Sequence, residues 1–346
     1  MLKVILINLI LIFFLLEVSL RIFWTNPYVS SYENAYFHEP NVDLKFSKIN
    51  KLYNYKKKVT FRTGKYGNIK NGINDPIDFH NYAIVLGGSS TESALVPEGK
   101  RWPDLLNIPT LNFGKSRLNT SHSVKNLEYI INEYNLTPSK VFVMDGVNNL
   151  HNFIYWGKNG LSKPDFSSGK SLYKFILKNY YTSAFFFSLV KRSDYYLFYK
   201  IDVERRKMLP KMTDEDFEKY WGENKDKMYD TLMLALSKIK DLSRKNNIEV
   251  HILTQPHAYD ENYNIYNEDL RVTPIINNKS LSIKQSRTLM QYYNKLTTIV
   301  AKDLSLNFHD ISACFESTDT SDLLYDAFHF TIEGSEFFAE CLNAKL

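Results

Sequence analysis

The stretch from Ala83 to Thr91 reads Ala-Ile-Val-Leu-Gly-Gly-Ser-Ser-Thr, an apolar run that ends in two glycines and three hydroxyl residues. A short apolar run between turn signals is typical of a buried strand in a parallel sheet, although periodicity alone also allows a buried helix. Gly87 and Gly88 favour the strand, because glycine permits the close backbone approaches of a tight strand-to-helix turn. The stretch therefore predicts a strand that presents Ser89 at the carboxyl edge of a sheet.

This stretch alone does not identify a function. A glycine pair before serine and threonine is common, and it can also hold a phosphate at a helix N-terminus. The stretch does not match the phosphate-loop pattern, since no Gly-Lys-Ser/Thr follows, and Thr91 stands where a Gly-x-Ser-x-Gly elbow has its second glycine. A role for Ser89 has to be supported by residues elsewhere in the chain.

Four further strand-like runs follow the first and alternate with helical patterns. The strands are predicted at residues 110–113, 140–144, 248–254 and 307–311. The helices are predicted through Arg101 to Leu106 and at residues 123–134, 225–245, 282–304 and 332–343. This alternation predicts an α/β fold, a three-layer α/β/α sandwich around a five-stranded parallel sheet, with its ligand site at the carboxyl ends of the strands.

Residues 1–24 begin with one positive charge, Lys3, followed by an apolar run interrupted only by Asn8. A membrane span needs about 20 residues, which this segment reaches if Glu17 and Arg21 are included. No small-x-small cleavage site follows. The pattern predicts an uncleaved membrane anchor with the rest of the chain on the extracytoplasmic side, in the periplasm or at the cell surface. A cleaved signal peptide, or an amphipathic or core helix, remains an alternative.

Two further segments lie outside the regular alternation. Residues 25–80 are polar and aromatic, and we predict a lead-in segment packed on a main domain of residues 81–346, with an exposed strand within residues 56–62. Residues 150–221 contain a loop and then an aromatic-rich stretch, which predicts a helical insertion over the sheet edge. This insertion is either a substrate cap or structural padding.

Charge and cysteine content exclude several functions. The net charge of +5 comes from 43 basic and 38 acidic residues that are scattered along the chain, which does not favour a nucleic-acid partner. Cys314 and Cys341 are the only cysteines, and their spacing predicts no metal site. They can pair in an oxidising compartment, whereas a cysteine in an apolar helix, such as Cys341, is more typical of a small buried hydrophobe.

Polar groups suited to acyl chemistry follow the predicted strands. A serine hydroxyl such as that of Ser89 is a poor nucleophile until a base removes its proton, and His329 is the candidate base. Asp326, three residues earlier, is the candidate partner for the other ring nitrogen. An oxyanion needs hydrogen-bond donors, which the backbone amides of Ser89 and Gly114 and the side-chain amide of Asn148 can supply.

Four blocks in the chain together resemble the SGNH hydrolase superfamily, also called the GDSL esterase/lipase family. Gly87-Gly88-Ser89 resembles its Gly-Asp-Ser block, Asn112-Phe113-Gly114 its Asn-x-Gly block, Gly146-Val147-Asn148-Asn149 its Gly-x-Asn-Asp block, and Asp326-Ala327-Phe328-His329 its Asp-x-x-His block. Gly88 and Asn149 each replace the aspartate that is commonest in the family. The resemblance covers residues 84–344, implies a flavodoxin-like sheet with no cofactor, and supports the roles of the residues given above.

The Gly-Gly-Ser form of the first block resembles a membrane-anchored bacterial branch that acts on acyl groups of cell-surface polysaccharides. The resemblance thus implies a serine esterase or acyltransferase acting on O-acetyl groups of a glycan. A lipase or thioesterase, and a non-catalytic glycan-binding or assembly protein with the same fold, are the alternatives. Ser90 and Thr91 are predicted to cap the helix that follows Ser89. His257, at the end of a predicted strand, is either a structural residue or a substrate contact.

Overall fold

A computed structural model gives the structure of the protein and describes residues 2–23, 37–46, 59–72, 82–157, 182, 204–259 and 273–346. The chain divides into two compact units. One contains residues 1–33 and 165–205, and the other contains residues 34–164 and 206–346.

The first unit contains helix α1 (Leu2–Phe23). Glu17 and Arg21 lie one turn apart on this helix and form an ion pair of 2.9 Å, and Glu17 also accepts two hydrogen bonds of 2.8 Å from Thr182. Within the described part of the chain, no helix combines the length and the apolar character needed to cross a membrane. The anchor predicted for residues 1–24 stays a prediction.

The second unit is built on a parallel five-stranded sheet, and it also contains two small antiparallel pairs. The sheet consists of β3 (Ala83–Gly87), β4 (Thr110–Asn112), β5 (Lys140–Met144), β6 (Glu249–Leu253) and β9 (Asn307–His309). The pairs are β1 (Asp43–Phe46) with β2 (Val59–Arg62), and β7 (Ile275–Ile276) with β8 (Lys279–Ser280). The sheet order is β4-β3-β5-β6-β9, which is the flavodoxin-like order. The predicted fold class is confirmed.

Helices lie on both faces of the sheet. They are α2 (Ser89–Glu92), α3 (Thr120–Asn132), α4 (Gly146–Trp156), α5 (Asp214–Asn246), α6 (Ile283–Asp303), α7 (Ser312–Glu316) and α8 (Ile332–Asn343). Alternate residues of the strands point to opposite faces. Val85 and Phe142 belong to one core cluster with Phe338 of α8, while α3, α5 and α6 pack on the other face. Because both faces are covered, the five residues of β3 are buried.

Capping side chains determine where several helices begin. Asn119 accepts a hydrogen bond from the backbone of His122 at the start of α3, Ser282 does the same for Gln285 at the start of α6, and Thr331 for Gly334 at the start of α8. Each bond satisfies an amide that has no partner within the helix. These helices therefore lie close to their predicted positions, whereas α5 begins well before the predicted residue 225 because Thr213 caps it there.

The helix predicted through Arg101 to Leu106 is wrong. Helix α2 is a single turn that ends at Ser93, which is in the left-handed conformation with a φ of 45°. A separate 3₁₀ turn, Trp102–Leu105, follows. Pro97, Gly99 and Pro103 lie along this segment, and such residues disfavour a continuous helix.

The described part of the lead-in segment packs on the main domain. The ring of Phe37 lies 5.0 Å from that of Phe113 and 5.7 Å from that of Tyr129. Strand β2 alternates between buried and exposed residues, in agreement with the predicted exposed strand. The predicted insertion is largely outside the described residues, and its first part continues α4 as far as Trp156.

Cys314 of α7 and Cys341 of α8 are free thiols. Both are partly exposed, and both pack against the core cluster that contains Phe338. Cys341 is therefore not the fully buried residue that its helix predicted. Burial, followed by the hydrogen bond with Cys314, raises the pKa of Cys341 to about 12, so its thiol stays protonated at neutral pH.

Candidate active site

Ser89 is the first residue of α2, directly after the turn that ends β3. It is partly exposed, whereas Ser90 and Thr91 are only 3% and 0% exposed. The turn thus brings one of the three consecutive hydroxyl groups to the surface. The predicted capping role of Ser90 and Thr91 is wrong, because the helix begins at Ser89 with Gly88 as its N-cap, so that both residues lie inside the turn.

The imidazole of His329 connects Ser89 to Asp326. Its Nε2 lies 2.8 Å from Oγ of Ser89, and its Nδ1 lies 2.7 Å and 2.8 Å from the two carboxylate oxygens of Asp326. An ionised carboxylate accepts hydrogen bonds but donates none, so the proton of a neutral ring lies on Nδ1. Nε2 is then free to accept the proton of Ser89, which is the arrangement of a serine nucleophile and its base.

Asp326 is 2% exposed and is held by its own loop. Its Oδ1 accepts hydrogen bonds of 2.9 Å from the backbone amides of Phe328 and His329. Burial opposes ionisation of this carboxyl group, but the charge of His329 and these hydrogen bonds outweigh it and lower the pKa. Asp326 is therefore a carboxylate at neutral pH.

The pKa of His329 shifts in the opposite direction. Burial lowers it, but the attraction and hydrogen bonding of Asp326 and a further contribution from Glu92 raise it above the usual value. The ring of Tyr325 also stacks on the imidazole, with centroids 5.5 Å apart and planes 9° apart. The result is a more basic imidazole in a fixed orientation.

Asn148 lies in the first turn of α4, which begins directly after β5 and Asp145. Its Nδ2 fills the space beside Gly88 where a side chain would begin, so an added Cβ would overlap the amide. Because residue 88 is a glycine, the Asn148 amide can lie directly against it, one residue before Ser89.

Gly114 packs directly against α2. An added Cβ there would lie 2.5 Å from the backbone nitrogen of Glu92. The amide of Gly114 donates a hydrogen bond of 2.8 Å to Oδ1 of Asn112, whose Nδ2 donates to the carbonyl of Thr91. The predicted oxyanion donor at Gly114 is therefore engaged with Asn112 in this structure, and its role in stabilising an oxyanion stays a prediction.

His257 lies in the loop after β6 that contacts the loop carrying Asp326. The amide of Ala258 donates a hydrogen bond of 3.0 Å to the carbonyl of Ala327. His257 is 8% exposed, and neither ring nitrogen has a hydrogen-bond partner among the described residues. Burial, together with the charge of Arg287, lowers its pKa to about 4, so the ring is neutral. A substrate contact by His257 stays a prediction.

Glu92, a carboxylate 7% exposed at the end of α2, is not among the residues predicted for the site. It accepts hydrogen bonds from Ser116 and lies 3.1 Å from Nε2 of His38. A signal was present in the sequence, because a carboxylate three residues after Ser89 falls on the same side of a helical turn. Among the described residues, no group of three or more His, Cys, Asp or Glu side chains is placed to hold a metal ion.

Comparison with known proteins gave similar solved structures only. No protein-family model matches the chain, and no curated protein matches it. The acetyl xylan esterase AlAXEase is 12% identical, with a TM-score of 0.41, over 77% of this chain and 99% of that one. A GDSL-like lipase from Bacteroides thetaiotaomicron is 12% identical, with a TM-score of 0.40, over 79% of this chain and 91% of that one. Identities and TM-scores this low carry no evidence of function, so the function has to be inferred from the geometry of the site.

Replacing Gly88 by alanine tests the position of Asn148. The new Cβ would displace the amide of Asn148, the predicted oxyanion donor, so we expect kcat for an acetyl ester to fall by about 100-fold, with a smaller change in KM. Steady-state kinetics with a chromogenic acetyl ester measures this. Gly222→Ala is the control, because an added Cβ at this exposed position of α5 has no heavy atom within 4 Å. A Gly88→Ala variant with wild-type kcat would exclude the Asn148 amide from catalysis.

Proposed function

We propose that the chain is a serine-dependent hydrolase of carboxylic esters, of the SGNH type. The observation that carries the proposal is the continuous contact from Oγ of Ser89 through the His329 ring to Asp326, with distances of 2.8 Å and 2.7 Å. These groups lie at the carboxyl edge of a parallel sheet, where such folds bind their ligands.

The reaction begins with attack of Ser89 Oγ on the carbonyl carbon of the ester, while Nε2 of His329 takes the hydroxyl proton. Asp326 stabilises the imidazolium that forms. The negative charge moves to the carbonyl oxygen, where the backbone amide of Ser89 and the side-chain amide of Asn148 are the nearest candidate donors. The backbone amide of Ser89 lies in the first turn of α2 and has no partner within that helix.

The intermediate collapses when the bond to the alcohol breaks and the alcohol oxygen takes the proton from His329. This leaves an acyl group on Ser89. A second hydroxyl compound then gives its proton to His329 and attacks the acyl carbon, which releases the acyl group and restores Ser89. If this compound is water the protein is an esterase, and if it is a sugar hydroxyl the protein is an acyltransferase.

The substrate is inferred from the first sequence block, at residues 87–89. The Gly-Gly-Ser form of the first block resembles that of a bacterial branch whose members often act on acyl groups of cell-surface polysaccharides. We therefore propose an O-acetylated glycan as the substrate, with acetate or an acetylated sugar as the product.

Labelling with a fluorophosphonate tests the proposed chemistry directly. This reagent phosphonylates serine hydroxyls that a neighbouring base activates. We expect one adduct, on the peptide that contains Ser89, found by mass spectrometry of the digested protein. His329→Gln, which removes the base but leaves the serine, is expected to label at less than about 1% of the wild-type rate. An unlabelled Ser89, or equal labelling of both proteins, would refute an activated serine.

A further inference from the structure

Glu92 joins three separate parts of the second unit through one buried carboxylate. One oxygen, Oε2, accepts hydrogen bonds from the backbone amide of Ser116, at 2.9 Å, and from its hydroxyl group. The other, Oε1, lies 3.1 Å from Nε2 of His38 in the lead-in segment. The carboxylate itself belongs to α2, three residues after the nucleophile. It therefore connects the nucleophile turn, the loop at residues 114–116 and the lead-in segment.

The carboxylate is ionised in spite of its burial. Burial favours the neutral form of Glu92, but hydrogen bonding and attraction from His38, together with the bonds from Ser116, lower the pKa below the usual value. Among the described residues, the charges of Lys115, Arg101 and His329 also interact with Glu92. A buried carboxylate that keeps its charge exerts a stronger field on its neighbours than an exposed one.

The negative charge of Glu92 also acts on His329, the proposed base. Asp326 and Glu92 are the groups whose charge favours the imidazolium form of His329. Asp326 touches the ring, whereas Glu92 acts from the far end of the α2 turn. The short turn between Ser89 and Glu92 sets the distance between this second charge and the nucleophile.

Glu92 also determines the position of the loop beside Ser89. Gly114 packs against the backbone of Glu92, and Ser116 is bound by its side chain. Lys115 between them donates a hydrogen bond to the carbonyl of Phe37, next to His38. The loop thus contacts Glu92 through Gly114 and Ser116, and the lead-in segment through Lys115.

We propose that Glu92 is a positioning residue of the ester-cleaving site, which fixes the loop at residues 114–116 against the turn that presents Ser89. This inference rests on the proposed function. Glu92 does not contact the reacting atoms. Its positioning of the loop and its charge effect on His329 are separable, because the amide variant keeps the size of the side chain and removes the charge.

The charge effect is tested with Glu92→Gln. Without the charge, the imidazolium of His329 is less favoured, so its pKa falls, and the acidic limb of the kcat/KM profile moves to lower pH. The pKa is also measured without turnover, by NMR titration of the ring in histidine-labelled protein, with the signal assigned by its loss in His329→Gln. Glu98→Gln is the control, because Glu98 is a largely buried carboxylate that pairs with Arg62 and is not among the groups acting on His329.

The positioning effect is tested with Ser116→Ala, which removes one bond to Glu92 and leaves the charge in place. We expect kcat to fall about 5-fold, with the acidic limb unchanged. An unchanged His329 pKa in Glu92→Gln would overturn the charge effect, and a wild-type kcat in Ser116→Ala would overturn the positioning effect. If the His329 pKa falls in Glu92→Gln while the wild-type protein cleaves no ester, the coupling of Glu92 to His329 stands and the proposed function fails.

Discussion

Replacing Ser89 by alanine is expected to lower kcat for hydrolysis of a chromogenic acetyl ester by about 10⁵-fold. The reason is that the acyl-serine pathway is lost, and what remains is attack by water assisted by the oxyanion donors alone. Removing a nucleophile from such a triad abolishes the contribution of the base as well, because His329 then has no hydroxyl to deprotonate. The measurement is the steady-state rate of purified protein between pH 6 and pH 9.

Ser90→Ala is the matched control for this experiment. Ser90 is the next residue of the same turn, its side chain is buried, and its hydroxyl has no hydrogen-bond partner among the described residues. Its loss is expected to leave kcat within about 3-fold of the wild type, because a buried hydroxyl without a partner contributes little that alanine lacks. Equal rates in Ser89→Ala and the wild type would reject the proposed mechanism, and a large loss in Ser90→Ala alone would transfer the nucleophile to Ser90.

The sheet could be predicted well from the sequence because strands that are buried on both faces are nearly continuous apolar runs. Residues 83–86 of β3 and 141–144 of β5 are continuous apolar runs, and β3 is followed by Gly88 and β5 by Asp145. The predicted bounds of residues 140–144 for β5 are those observed. Strands that alternate with helices along a chain indicate an α/β fold with a parallel sheet, which is why the five runs predicted the correct fold class.

Local helix signals were less reliable between Ser89 and Leu106. The segment contains apolar residues that fit a helix, but Ser93 takes a left-handed conformation and Trp102 donates from its ring nitrogen to the carbonyl of Ser90. These tertiary contacts within the core replace the hydrogen bonds of a longer helix. Periodicity does not report such contacts, so the one-turn α2 was not predictable from this pattern.

The candidate site was predictable where its residues belong to short motifs. Asp326 and His329 are three residues apart, and this spacing allows a carboxylate and an imidazole in one loop to bond. The arrangement of Glu92 was not predictable in the same way, because Ser116 and His38 come from separate segments. The engagement of the Gly114 amide by Asn112 also requires the folded turn.

The negative charges of Asp326 and Glu92 act on His329 in two different ways. Asp326 acts through a direct bond within its own loop, and Glu92 acts across the turn that presents Ser89. Both favour the protonated ring, so ester cleavage, which needs the neutral ring, is expected to decline on the acidic side from a pH above the usual histidine value of about 6.5. Raising the pKa of the base makes it a stronger proton acceptor at the cost of a smaller neutral fraction at neutral pH.

Replacing Asp326 by asparagine is expected to lower kcat by about 10⁴-fold at neutral pH, the second largest effect on the proposed reaction. The backbone amides of Phe328 and His329 both donate to Oδ1, so the oxygen of the new amide stays there and its NH₂ group faces Nδ1 of His329. The ring then accepts at Nδ1, and its proton moves to Nε2, where it blocks transfer from Ser89. The exposed Asp322→Asn in the same segment is the control and is expected to keep the wild-type kcat. Ester hydrolysis within 10-fold of the wild type in Asp326→Asn would show that the carboxylate does not orient the base.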